Sequence, residues 1–178
     1  MPQVGHRLSG TRRFIASNGA IAHTTTVAVR LHSYRTMGRY EVLETVAIAD
    51  CALDVEGSDL TDLFATAARA LAELMVDPAT IARTLQRQIA LEAPSLDLLF
   101  FDWLGELIAL KDSDGAAFPD VEVEIECGTP CRLRARLVGG SLHGGQAALR
   151  SDPKAVTFHL FRVEPRAEGW RARVVIDT

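Results

Sequence analysis

The hydrophobic pattern changes period several times after Tyr40, and each change marks an element. The stretch YEVLETVAIADCALDVEG (40–57) is rich in Val and Ala, with a polar break near Asp50, and predicts one or two strands. In SDLTDLFATAARALAELMVD, residues Leu60, Leu63, Phe64, Ala67, Ala68, Leu71, Leu74 and Met75 draw one apolar stripe at helical spacing. Ser58 is the expected N-cap, and Asp59 and Asp62 place negative charge at the positive end of the helix dipole. TIARTLQRQIALEA predicts a strand, although its alternation is imperfect. A second amphipathic helix follows on Leu96, Leu99, Phe100, Trp103, Leu104 and Leu107; Ser95 after Pro94 marks its start and KDSDG its stop.

The hairpin signal is VEVEIECGTPCRLRARL, where Val121, Val123, Ile125 and Cys127 alternate with glutamates, and arginines then alternate with Leu133, Ala135 and Leu137. A turn centred on Thr129 sets Glu126 opposite Arg132, Glu124 opposite Arg134 and Glu122 opposite Arg136, a solvated charged face. Cys127 and Cys131 are expected to face the core as small hydrophobes. After the glycine-rich loop GGSLHGGQAALRSD, the run from Ala155 to Phe161 reads as a strand buried on both faces. EPRAEGW then turns the chain into a last strand, RARVVIDT. The expected architecture is one α+β domain, a mainly antiparallel sheet with two amphipathic helices packed against it.

Charge refines this picture. The net charge is −4, but residues 1–39 hold six of the 19 basic residues and no Asp or Glu, leaving residues 40–178 with 13 basic and 23 acidic side chains. An acidic body repels phosphate backbones, which argues against extensive direct nucleic-acid binding and favours a basic protein partner. Three cysteines, too few and too irregular for a disulfide framework or zinc ribbon, suit reduced thiols in a cytoplasmic protein. No uninterrupted apolar run approaches the roughly 18 residues of a membrane span.

The Ser-, Thr- and Arg-rich residues 1–39 show no sustained periodicity and resemble a transit peptide or disordered tail. An upstream start codon, with Met37 opening the domain, explains them more simply. The regular domain is expected over 40–178.

Phosphate-binding glycine loops, a serine-nucleophile elbow, an HExxH motif and paired CxxC motifs are all absent from the sequence. His159 lies in an apolar strand, where a hydrogen-bonded structural histidine is favoured over a ligand. Asp50 interrupts the apolar run VAIADCAL, where a charge is costly unless paired or bound to a cation. Asp177 stands next to the last residue, Thr178, so its carboxylate neighbours a chain-terminal one. Oxygen ligands of this kind suit a hard divalent cation such as calcium or magnesium. From spacing alone, an ordinary strand-end aspartate and a terminal residue remain the simpler reading.

The segments LFATAARALAELM, DWLGELIAL, KAVTFHLFRV and GWRARVVID resemble the archease family, in the same order and across residues 40–178. The most specific piece is KAVTFH followed by a terminal VVID. Archeases are small metal-binding partners of RtcB-type, GTP-dependent RNA ligases in tRNA splicing and RNA repair, promoting ligase guanylylation and repeated turnover. The resemblance therefore implies that Asp50, Asp177 and Thr178 bind a divalent cation, calcium first, with magnesium or manganese as substitutes. It also implies that Lys154 serves partner activation as a compact point charge. Asp152 stands in for an acidic residue of the family's loop. One motif departs from the family: its His-Thr-Ala-Asp is AIAD in this sequence, with Ala47 in place of the histidine.

Two other readings compete with a non-catalytic activator. One is a metal-dependent hydrolase using Asp50, Asp177 and Lys154, for which the sequence offers no general base beside the pair. The other is a general chaperone or modulator of nucleic-acid-processing proteins whose metal site is only structural.

Overall fold

The computed structural model describes residues 38–47 and 50–178. The first strands are β1 (Arg39–Ala47) and β2 (Asp50–Gly57), followed by helix α1 (Leu60–Met75) and a short 3-10 turn, Pro78–Thr80. Strand β3 (Leu85–Ala93), helix α2 (Leu96–Asp114) and the strands β4 (Ala116–Glu126), β5 (Cys131–Ser141), β6 (Ala155–Arg166) and β7 (Gly169–Asp177) complete the order. The strands form two antiparallel sheets, one ordered β1-β2-β7-β6 and the other β3-β5-β4. One sheet was expected; the split into two depends on strand pairing, which local periodicity does not record. The proposed extension over 1–39 lies outside the described residues except for Gly38 and Arg39, and β1 already begins at Arg39. No helix among the described residues is long and apolar enough to cross a membrane.

Both helices touch both sheets. Helix α1 packs on β1, β2 and β7 of the first sheet and on β4 of the second, while α2 packs on β6 and on β3, β4 and β5. A helix enclosed this way must bury more than one stripe, and α1 does so with small residues, Ala65, Ala67, Ala68, Ala70 and Ala72. Alternate residues of the first sheet, Leu53 and Val55 on β2 and Ala172, Val174 and Ile176 on β7, fill the core beneath it. The helices join at the Phe64–Phe100 edge-to-face pair, with ring centroids 4.9 Å apart. The buried Trp103 indole donates to the Phe64 carbonyl at 3.1 Å.

The caps follow local chemistry with one shift. Asp59, rather than Ser58, is the N-cap of α1, its side chain accepting from the Asp62 backbone N–H at 2.8 Å. Ser58 instead donates to the Asp62 carboxylate through its backbone N–H at 2.9 Å and its hydroxyl at 3.2 Å. Ser95 caps α2, and Gly115 ends it in the left-handed conformation, φ 58°, that glycine adopts without steric cost.

The hairpin register is as the sequence predicts: Glu122 faces Arg136, Glu124 faces Arg134 and Glu126 faces Arg132. The ion pairs are distributed differently. Arg136 reaches Glu122 at 3.5 Å, whereas Arg132 turns to Glu92 on β3 at 2.8 Å, because β5 lies between two strands. Cys131 is buried but Cys127, just past the end of β4, is exposed, so only one of the pair joins the core.

Strand β6 differs most from expectation. It is an edge strand, largely exposed rather than buried on both faces, and its pairing with β7 is interrupted between Thr157 and Arg162. His159 falls in that interruption and is exposed, so it is not a core histidine. A run of apolar residues signals burial in the sequence, but the position of a strand in its sheet decides whether burial follows.

Two measurements check this packing. Trp103→Ala should destabilise the fold by about 3–5 kcal/mol in denaturant unfolding; an unchanged midpoint would contradict the helix–helix junction. On the outer face of the first sheet, Asp54 accepts from Arg173 Nε at 2.7 Å and from Arg171 Nη2 at 3.1 Å. Arg173 foremost, with Arg171 beside it, holds the Asp54 carboxyl below its ordinary 3.8. Because the folded-state value is the lower one, this stabilisation is present above pH 3.8 and disappears as pH falls further. Asp54→Asn should therefore lose about 1–3 kcal/mol near neutral pH and flatten the acid limb of the unfolding curve, which a stability-versus-pH series measures.

Candidate functional site

Strands β2 and β7 are the second and last of the domain, and their pairing sets the geometry of the site. Asp50 and Asp177 are direct partners in that ladder; Ala47 on β1 faces Asp50, and Ala155 on β6 faces Asp177. Four residues thus form one row across the sheet, Ala47–Asp50–Asp177–Ala155. Directly opposite positions in an antiparallel pair share a face and lie within about 5.5 Å at Cβ. The backbone of Lys154 joins the row, its N–H donating to the Asp177 carbonyl at 2.7 Å.

The apolar residues on either side force this placement. Val174, Val175 and Ile176 are buried on β7, as are Cys51, Ala52 and Leu53 on β2, so both acids come at the point where each strand leaves the core. Asp177 and Thr178 are half-buried there, while Lys154 is exposed. The side chain of Asp50 lies outside the described residues, and its position here is that of its backbone.

Charge distinguishes this row from its neighbours on the same face. The row Arg39–Glu56–Arg171–Glu164 holds two basic and two acidic residues, and so does the row Glu41–Asp54–Arg173–Arg162. Both are neutral, and ion pairs run through them: Arg39–Glu56 at 2.9 Å, Arg171–Asp54 at 3.1 Å, and Arg173–Asp54. The Asp50–Asp177 row holds two acids flanked by alanines. Like charges placed directly opposite destabilise a sheet unless something positive meets them.

A second feature of this face is Thr157, two residues along β6 from Ala155. Its hydroxyl oxygen is buried and has no hydrogen-bond partner among the described residues. Two carboxylates and a hydroxyl or carbonyl are an oxygen donor set of the kind that hard cations take, so the residues present fit a calcium or magnesium ion. Among the described side chains, no group of three or more His, Cys, Asp and Glu is gathered as a metal site.

Asp152 and His159 stand outside the Asp50–Asp177 row. Asp152 pairs with Lys111, the buried lysine at the C-terminal end of α2. Lys111 also donates to the Pro153 carbonyl at 2.9 Å and pairs with Asp112 at 2.8 Å. Burial pushes the Lys111 ammonium down, but its bonds to Asp112 and Asp152 together outweigh burial and hold it above its ordinary range. Lys111 thus anchors the segment 152–153 immediately before Lys154, and Asp152 serves that anchor. His159 sits four residues beyond Ala155 in the unpaired part of β6, away from the row.

Sequence reasoning missed Lys111 and Thr157. The signal for Lys111 was available, since it continues the buried stripe Leu104, Leu107, Ile108 at helical spacing. Thr157 stood inside KAVTFH, but nothing local distinguishes an orphaned hydroxyl from a solvated one.

Comparison with known proteins agrees with this architecture. The profile described as "Archease protein family (MTH1598/TM1083)" matches residues 40–178. The "Protein archease" of Archaeoglobus fulgidus is 36% identical over 129 residues, covering 72% of this chain and 93% of that relative. Its namesake from Thermococcus gammatolerans is 33% identical over 143 residues, covering 79% of this chain and 99% of that relative. The solution structure of Methanobacterium thermoautotrophicum protein 1598 superposes with a TM-score of 0.65 at 25% identity, over 78% of this chain and 98% of that one. The crystal structure of a Thermotoga maritima protein described as an archease and possible chaperone shares the fold, with a TM-score of 0.50 at 22% identity over 74% of this chain and 93% of that one. On the match over residues 40–178 and the identities of these relatives, the chain belongs to the archease family.

Proposed function

We propose that this protein is a non-catalytic, cation-binding activator of an RtcB-type GTP-dependent RNA ligase, working in the cytoplasm in tRNA splicing or RNA repair. The observation that carries the reading is the Asp50–Asp177 register: two acids facing each other across β2 and β7 in a row with no basic residue. Family membership supports the choice of partner.

The chain's own residues hold and position. Asp50 and Asp177 supply the carboxylates, with Thr178, next to Asp177 in sequence, as a further oxygen donor. A bound divalent cation supplies the positive charge that relieves the repulsion between the two aspartates. Lys154, fixed through its backbone to Asp177 and preceded by the segment that Lys111 anchors, presents an exposed ammonium on a flexible stem at the sheet edge. This mixed acidic and cationic corner gives a ligase active site a surface that can favour its guanylylation-competent conformation. A partner binding one state better shifts a population without chemistry of its own. Ala47, in the place of the histidine of the family motif, lies directly across from Asp50.

Calcium at 100 times its dissociation constant should stabilise the wild-type protein by about 2.7 kcal/mol, read as a rise in unfolding midpoint. Asp177→Asn should lose most of that rise; an equal rise in both proteins would remove the cation from the row. Guanylylation of the cognate ligase should run faster with the wild-type protein present and lose that acceleration with Asp177→Asn. No acceleration by the wild-type protein at any stoichiometry would overturn the activator reading. Hydrolysis of model phosphate esters, abolished by Asp177→Asn, would favour the hydrolase instead.

A further inference from the structure

Beyond the aspartate row, the first sheet carries an aromatic feature that the proposed site does not use. Between Thr157 and Arg162, β6 leaves its pairing with β7, and Leu160 adopts a left-handed backbone, φ 54°. That conformation is strained for a leucine. The result is outward display: Phe158 is 60% exposed and Leu160 46%.

Phe158 is not a loose side chain. Its ring stacks on Phe101 of α2, with centroids 4.0 Å apart and planes 3° from parallel. Phe161 meets both rings edge-on, at 5.6 and 5.8 Å, and touches Phe100, which packs on Phe64 in the core. An aromatic ladder thus runs from the centre of the domain to an exposed end. Leu98, one helical turn before Phe101, widens that end and is 37% exposed. A rigid, partly exposed aromatic backed by a packed core has the features of an interface hot spot, because little side-chain entropy is left to lose on binding.

The rim selects the partner. Asp97 and Asp102, which flank Leu98 and Phe101 in sequence, are both exposed, and the only lysine or arginine on α2 is Lys111, buried at its far end. The domain as a whole has an excess of acidic residues. On the α2 side, charge complementarity therefore favours an apolar side chain flanked by lysine or arginine, whereas Leu160, on the β6 side, borders Arg162, Arg166, Arg171 and Arg173. A second copy docked through this same patch would instead set Asp97 and Asp102 against their own counterparts.

We infer that the Phe158–Phe101–Leu98 surface is where the ligase docks, through an apolar anchor with a basic surround. This rests on the activator reading and extends it: Lys154 immediately precedes β6 and Phe158 lies four residues further on, about 13 Å at most, so one partner can span both.

The test is a binding titration of the cognate RtcB-type ligase against four forms of the full chain. Phe158→Ala should weaken binding at least tenfold, and Asp102→Lys should slow association and reduce its salt dependence. Leu149→Ala removes another exposed leucine, 64% exposed and outside the ladder, and should bind as the wild type does. Circular dichroism melts of each form establish that it is folded. If Phe158→Ala binds as tightly as wild type while the wild type still accelerates guanylylation, the docking surface is wrong and the activator reading stands. If the wild type neither binds nor accelerates the ligase, both are overturned.

Discussion

The antiparallel ladder between β2 and β7 is the constraint on which the rest depends. It joins the second strand of the domain to the last over eight consecutive partners, from Asp50↔Asp177 to Gly57↔Trp170. Closing so long a loop costs entropy, and the reward is the apolar layer of Leu53, Val55, Val174 and Ile176 beneath α1. A one-residue slip would turn those side chains outward and bring polar ones in. The register that buries the core is therefore the register that sets Asp50 against Asp177. Core packing thus enforces a juxtaposition that electrostatics disfavours, and cores commonly store such local cost at functional sites.

Much of the fold was legible because it follows short-range rules. The stripe from Leu60 to Met75 and the caps at Ser95 and Gly115 needed only helical spacing and local chemistry. The alternation of Glu122, Glu124 and Glu126 against Arg132, Arg134 and Arg136 gave the hairpin register. What was not legible required knowing which strands neighbour which. Phe158 and Leu160 looked like core residues, yet they lie on an edge strand at a break in its pairing. Cys127 continued the apolar alternation one step past the strand that would have buried it. The convergence of Asp50 and Asp177 came from resemblance to a family rather than from spacing, because nothing local relates residues so far apart in the chain.

Lysine is rare in this chain, and its two lysines divide the work. Lys111 is buried and anchors the segment before β6; Lys154 follows that segment, exposed, with its backbone bonded to Asp177. A buried ammonium needs several acceptors, and Lys111 finds Asp112, Asp152 and the Pro153 carbonyl. The anchored lysine fixes the backbone, and the exposed one stands at the start of β6 beside the end of β7.

We propose that the two aspartates repel each other until a cation joins them. The most direct measurement is a double-substitution cycle of Asp50→Asn and Asp177→Asn on folding stability, run once with a chelator and once with saturating calcium. Either substitution alone should raise stability in chelator by up to about 1 kcal/mol, the second should add little, and both should lower stability in calcium. Independent, additive effects with the same sign in both conditions would contradict a shared site.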